Sequence, residues 1–251
     1  MTNFISTQPL FKWWGPQELA HKENLKLQMG PLALSLDIQA ADWNLTWNRE
    51  SISGQARFIF GHTQSQLIVV PSLPDRNVTT KFNVPLRILP GDSVKIYIVV
   101  PLWVVLRDQN HTKLLELPTW RLSDTWIGQS SIEGELGYAG RVPANTEVSA
   151  VPHRLDLAVS PVWIRNQSSS VFIINHFNLP APHLTLYYSE EAGFWTDTLT
   201  VEQTGQTELV NVKFEAHAPS EAKQAQIMSH PREQALEAHR VIRAFSALFK
   251  Q

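Results

Sequence analysis

Strict alternation of apolar and polar side chains is the feature that most limits what this chain can fold into. Leu32, Leu34, Leu36 and Ile38 repeat with a period of two, as do Trp43, Leu45 and Trp47, and later Val94, Ile96, Ile98 and Val100. Successive side chains on a strand point to opposite faces, so this pattern describes half-buried strands with one face on a core. The breaks fall where turn chemistry stands, at Gly30-Pro31, Gly61-His62, Pro74-Asp75-Arg76-Asn77 and Pro90-Gly91.

The alternation predicts strands over 25–29, 32–38, 43–48, 55–60, 66–71, 78–82, 85–89, 94–100, 103–106 and 113–117. Further strands are predicted over 157–165, 170–176, 183–188, 195–201 and 209–214. No helical segment of about a dozen residues separates neighbouring strands, which favours antiparallel pairing over a doubly wound parallel sheet. The expected fold is mainly β: an antiparallel β-sandwich, or two packed β subdomains, with a C-terminal amphipathic helix. Residues 1–24 read as an N-terminal arm bearing Trp13-Trp14, and 25–215 as the β body with a subdivision near 118–140. Residues 216–230 read as a linker. Over 231–250, Pro231 stands where a first helical turn begins, and Ala238, Val241, Ile242, Phe245, Leu248 and Phe249 recur at helical spacing.

Apolar residues at 43% and charged residues at 18% place the chain among folded proteins. Its 21 basic and 23 acidic side chains leave a formal charge of -2, which supplies no electrostatic case for nucleic acid. The absence of cysteine excludes disulfides and thiolate chemistry. The N-terminus lacks a basic segment followed by a continuous apolar one, so a cytoplasmic address is expected by elimination. Four segments match the N-glycosylation pattern, at Asn44, Asn77, Asn110 and Asn166, and are read as chance matches.

The chain has no P-loop, dinucleotide-binding glycine fingerprint, HExxH, EF-hand loop or GxSxG elbow. Its nine histidines form no HxH pair. A site built from His176, His183 and Glu190 needs convergence across strands, and separate turn and surface histidines are the simpler reading. No metal and no cofactor is expected, and no residue is assigned a catalytic role.

Two polar knots stand out. In the first, Leu73-Pro-Asp-Arg-Asn77, Asp75 suits a turn and Arg76 offers a fork for a carboxylate. The second spans Trp120, Arg121, Asp124, Trp126 and Glu135. Paired carboxylates beside tryptophan are the components of a sugar-cleaving or sugar-binding cleft. The same residues also make a structural network if Glu133 and Glu135 are paired with Arg121 or Arg141.

Several of these segments, in order, carry a resemblance: Met29-Gly-Pro-Leu-Ala-Leu34, Asp42-Trp43, Leu73-Pro-Asp-Arg76, Pro85-Leu-Arg-Ile-Leu-Pro-Gly91, Pro101-Leu-Trp103, Leu122-Ser-Asp-Thr-Trp-Ile-Gly128, Gly134-Glu-Leu136, Ala158-Val-Ser-Pro161 and Ile164-Arg-Asn166. Over residues 25 to about 200 the chain resembles an uncharacterised prokaryotic family, the domain of unknown function numbered 432. The resemblance implies no reaction, ligand or catalytic residue. By analogy with genes lying beside those of small mechanosensitive channels, it implies association with a membrane protein.

Three functional readings follow. The leading one is a non-catalytic protein-binding or regulatory β-sandwich, motivated by abundant aromatics and the lack of a catalytic motif. The second is a carbohydrate-binding protein or hydrolase using the Trp/Asp/Glu cleft. The third is a structural protein that self-associates.

Overall fold

The computed structural model describes residues 13–19, 24–128, 134–140, 145–204 and 210–233. The chain divides into two compact units, and the backbone passes between them after Ser72, after Leu102 and after Trp120. The first unit opens with β1 (Gly15–Glu18), β2 (Asn24–Met29), β3 (Leu32–Gln39), β4 (Asp42–Arg49), β5 (Ile52–Ile59) and β6 (Gln66–Ser72). The second then takes β7 (Val78–Ile88) and β8 (Ser93–Pro101), and the first is completed by β9 (Trp103–Arg107) and β10 (Lys113–Pro118). The remaining strands all belong to the second unit. They are β11 (Ser123–Gly128), β12 (Gly134–Gly140), β13 (Leu157–Asn166), β14 (Phe172–Leu179), β15 (Leu186–Ser189), β16 (Gly193–Thr196), β17 (Thr198–Gln203), β18 (Val210–Glu215) and β19 (Gln226–Ser229).

In the first unit, β2 to β5 form an antiparallel meander in which the alternation is realised residue by residue. One face buries Leu27, Met29, Leu32, Leu34, Leu36, Ile38, Trp43 and Leu45. Each such side chain contributes about 1.5–3 kcal/mol on leaving water. The connections are tight: Gly30, Ala40 and Glu50 adopt positive φ of 57°, 54° and 53°. Trp43 is fully buried and meets Phe60 edge to face at 4.8 Å. A second sheet runs in the order β1-β6-β9-β10, and Arg49 donates a 2.8 Å hydrogen bond to the Pro118 carbonyl at its far edge. The β9–β10 turn is built on Asp108, whose Oδ1 accepts the Asn110 and Thr112 amides at 2.9 and 2.8 Å.

The second unit holds a sheet in the order β11-β12-β7-β14 and a seven-stranded sheet centred on β13. Strand β13 runs antiparallel to β8 from Leu157 to Arg165. Its other side pairs in parallel first with β16 and then with β17. Asp197 stands between those two strands, buried, and accepts the Thr185 amide at 2.5 Å and the Tyr187 hydroxyl at 2.9 Å. Burial raises its carboxyl above the ordinary range, against the pull of those hydrogen bonds.

The expected fold class requires correction. Pairing is mixed: β12 with β7, and β13 with β16 and β17, are parallel. The long connections that parallel pairing needs are supplied here by irregular chain and other strands. The predicted C-terminal amphipathic helix is not found either. Among the described residues the helical segments are two 3₁₀ turns of three residues each, Val148–Ala150 and Ala181–His183. Pro231–Glu233, where the first turn was expected, is non-helical, and the Arg232 and Glu233 amides donate to the Pro182 carbonyl at 2.8 and 3.1 Å. Residues 234–250 of that expectation lie outside the described residues. The stretch 118–140, read as a subdivision of the β body, carries β11 and β12, and the stretch 216–230, read as a linker, carries β19. The separate predictions over 78–82 and 85–89 merge into one strand, β7, whose ladder with β14 shifts register between Ile174 and His176.

Candidate functional site

The parallel contact between β12 and β7 brings the two polar knots together. Tyr138 pairs with Val78 across that contact and with Asp124 across the β11–β12 hairpin, so the Pro74–Asn77 turn lies at the strand ends beside both. Arg76 Nη1 meets Asp124 Oδ1 at 3.1 Å, and its guanidinium lies 5.3 Å from the centre of the Tyr138 ring. The Tyr138 hydroxyl donates to Asp75 Oδ1 at 2.8 Å. Burial first, then the Asp75 hydrogen bond and charge, push the Tyr138 phenol up to about 12. Asn77 Nδ2 donates to Glu135 Oε1. Four predicted residues, Asp75, Arg76, Asp124 and Glu135, thus enter one network, each carboxylate with its own donor. Asn77 and Tyr138 complete that network without having been singled out as site residues.

The other predicted residues divide. Trp120 belongs to the first unit, whereas Arg121, Asp124, Trp126 and Glu135 belong to the second. Arg121 is exposed just ahead of β11. Trp126 is 49% exposed, and its indole lies over Gly134, where an added Cβ would stand 2.6 Å from Trp126 Nε1. Leu136, opposite Trp126 in the ladder, is 46% exposed.

The candidate metal residues stand in different settings. His176 on β14 faces Lys81, and burial together with that lysine keeps its imidazole below the ordinary pKa. His183 in the second 3₁₀ turn has Nε2 3.7 Å from Glu233. Among the described residues no group of three or more histidine, aspartate and glutamate side chains is placed to hold a metal ion. The Asn166 glycosylation match is buried, with its amide donating to the Ile88 and Ser170 carbonyls.

A groove in the first unit was missed by sequence reasoning. It has a volume of about 730 Å³ and lies on the polar face of the β2–β5 meander. Two cross-strand rows line it: Lys26, Ser35, Thr46 and Gln55 in one, Gln28, Ala33, Asn48 and Ser53 in the other. The row between them, Leu27, Leu34, Trp47 and Gly54, contributes the floor, and Trp13 also lines the groove. Glycine is required at position 54 because the Trp47 indole occupies the space of a side chain there. The only sequence signal for this groove is the neutral amide and hydroxyl character of the outward positions, which reads as an ordinary solvated face.

Two β units, an ionic network in one and an open groove in the other, define an all-β protein. The chain belongs to the DUF432 family of proteins of unknown function, whose family model matches residues 13–250. That match extends the resemblance seen over residues 25 to about 200 into the regions read as arm, linker and helix. No curated protein and no solved structure matches the chain.

Proposed function

We propose that this chain is a non-catalytic binding protein whose recognition face is the polar side of the β2–β5 meander. The observation that carries this reading is the groove of about 730 Å³, a volume within the range of small-molecule sites, about 300–1,000 Å³. Its described lining combines exposed amide, hydroxyl and lysine side chains with apolar surface from residues such as Trp13, Ala33 and Trp47, and includes no carboxylate or imidazole. The carboxylates on which a hydrolase would depend are instead engaged: Asp124 by Arg76 and Glu135 by Asn77.

Lys26 provides the test because it lines the groove and is exposed. Its acylation by an amine-reactive probe is compared, by mass spectrometry, with that of Lys81 and Lys223, exposed lysines of the second unit. Extract of the source cells should slow labelling at Lys26 selectively. Equal labelling at all three positions with and without extract would remove the basis of this reading.

A further inference from the structure

We propose that the groove takes a short oligosaccharide, an inference that rests on the binding function proposed above and names its ligand class. Among the described residues the side chains of Lys26, Asn48, Ser53 and Gln55 have no hydrogen-bonding or ionic partner within the protein, whereas those of Gln28, Ser35 and Thr46 do. The same face a few residues away behaves differently, since Arg57 and Asp42 close on each other in a two-pronged ion pair. The groove therefore presents hydrogen-bonding heads that the fold itself leaves unused.

The chemistry of those heads selects the ligand. Asn and Gln each carry two donors and an acceptor on one planar head, and hydroxyls carry both functions. Adjacent hydroxyls on a sugar ring offer the same mixed pattern. Neighbours within each row stand one strand apart, about 4.8 Å, close to the width of one such ring. Trp13 adds an aromatic surface for the C–H face of a sugar. Among the described residues no carboxylate lines the groove, which disfavours a cationic ligand, and Lys26 is the one cation there, which gives little attraction for a polyphosphate. An extended peptide would add to a strand edge, which in this sheet means β2 or β5, whereas the groove runs across the face of β3 and β4, which are paired on both sides.

The experiment titrates the full-length protein with cellotriose, maltotriose, chitotriose and β-1,4-galactotriose, read by calorimetry and by saturation-transfer NMR. At least one trisaccharide should bind. Asn48→Ala and Gln55→Ala should each weaken it about five- to tenfold, the loss of one or two hydrogen bonds. Trp13→Ala should weaken it more than about tenfold, while Trp13→Phe stays within about threefold because the ring is retained. Asp124→Ala, in the other unit, should leave affinity unchanged, and circular dichroism of each variant establishes that the meander is intact. Failure of all four sugars while extract still protects Lys26 overturns the oligosaccharide and leaves the binding function standing. Failure of both overturns both. A sugar bound equally well by wild type, Asn48→Ala and Gln55→Ala lies elsewhere and also overturns the proposal.

Discussion

The Asn166 side chain is fully engaged in four hydrogen bonds. Its Nδ2 donates to the Ile88 and Ser170 carbonyls at 2.9 and 2.7 Å, and its Oδ1 accepts the Ser168 amide and hydroxyl at 3.0 and 2.7 Å. Its own backbone bonds to Gly91 and Asp92, so one residue ties the β13–β14 turn to the β7–β8 turn. Asn166→Ala leaves several buried groups unpaired and should cost about 3 kcal/mol, read as a lower urea midpoint with unchanged slope. Glu221 shows a different balance. Burial raises its carboxyl, but hydrogen bonds from Lys95 and Tyr97 and the Lys95 charge outweigh that, and the net pKa is lowered. Lys95 also lies 5.6 and 5.5 Å from the Tyr97 and Trp163 ring centres. A carboxyl held below its unfolded value stabilises the fold fully above that value, and the contribution is lost as pH falls through the folded pKa. Stability measured from pH 6 downward should therefore decline below about 4.5, the ordinary glutamate value. Glu221→Gln should flatten that decline and cost about 1 kcal/mol at neutral pH, the site being partly exposed. An unchanged acid-side slope in the variant would show that other carboxyls set it.

At the scale of elements, the junction between β12 and β7 depends on Gly137. A Cβ there would stand 2.8 Å from the Asn77 carbonyl and would collide with the Ile127 side chain. The neighbouring Tyr138 amide donates to that same carbonyl at 2.8 Å. Gly137→Ala should destabilise the protein by about 1–3 kcal/mol through overpacking, and hydrogen exchange should quicken first at the Tyr138 amide. Uniform exchange rates across the second unit would argue against a local effect. This junction also shows where sequence reading stops. The meander was legible because Leu32 to Ile38 and Trp43 to Trp47 alternate without interruption between recognisable turns. In β11 the pattern is blurred: Trp126 is exposed while Ile127 is buried, and Gly134, Gly137 and Gly140 of β12 provide no side chain to alternate. Strand β19 has no fully buried position, so Gln226–Ser229 lacks the apolar signature altogether. Parallel pairing of β13 with β17 is set by neighbours distant in sequence, and no local pattern encodes it. The ionic site was legible in part, since Asp75, Arg76, Asp124 and Glu135 announce themselves by charge. Tyr138 reads as an ordinary strand aromatic until the fold aims its hydroxyl at Asp75. The groove was illegible because its outward Asn, Gln, Ser and Thr side chains are the default composition of a solvated face.

For the whole molecule, the path of the chain makes the first unit separable on paper and gives a sharp expectation. Strands β6 and β9 are antiparallel neighbours, and Ser72 pairs directly with Trp103. The intervening residues 73–102 belong to the second unit, yet they leave and re-enter the first at adjacent ladder positions. A short Asn-Gly turn can therefore replace them, because such turns join antiparallel strands at that spacing. A chain of residues 1–72, Asn-Gly and 103–120 retains β1 to β6, β9 and β10, and with them both sheets of the first unit. It should unfold in one cooperative urea transition and keep the chemical environment of Lys26 and Asn48 in NMR spectra of the full-length protein. Residues 1–72 alone lose β9, the partner of β6, and β10 beyond it, leaving β1 and β6 as a two-strand pair, which is marginal in water. That fragment should show a broad, weakly cooperative transition. If the spliced chain also fails to unfold cooperatively, the first unit draws stability from the second that its own sheets do not supply. If it folds and binds the trisaccharide selected by the full-length protein, the groove is a property of the first unit alone.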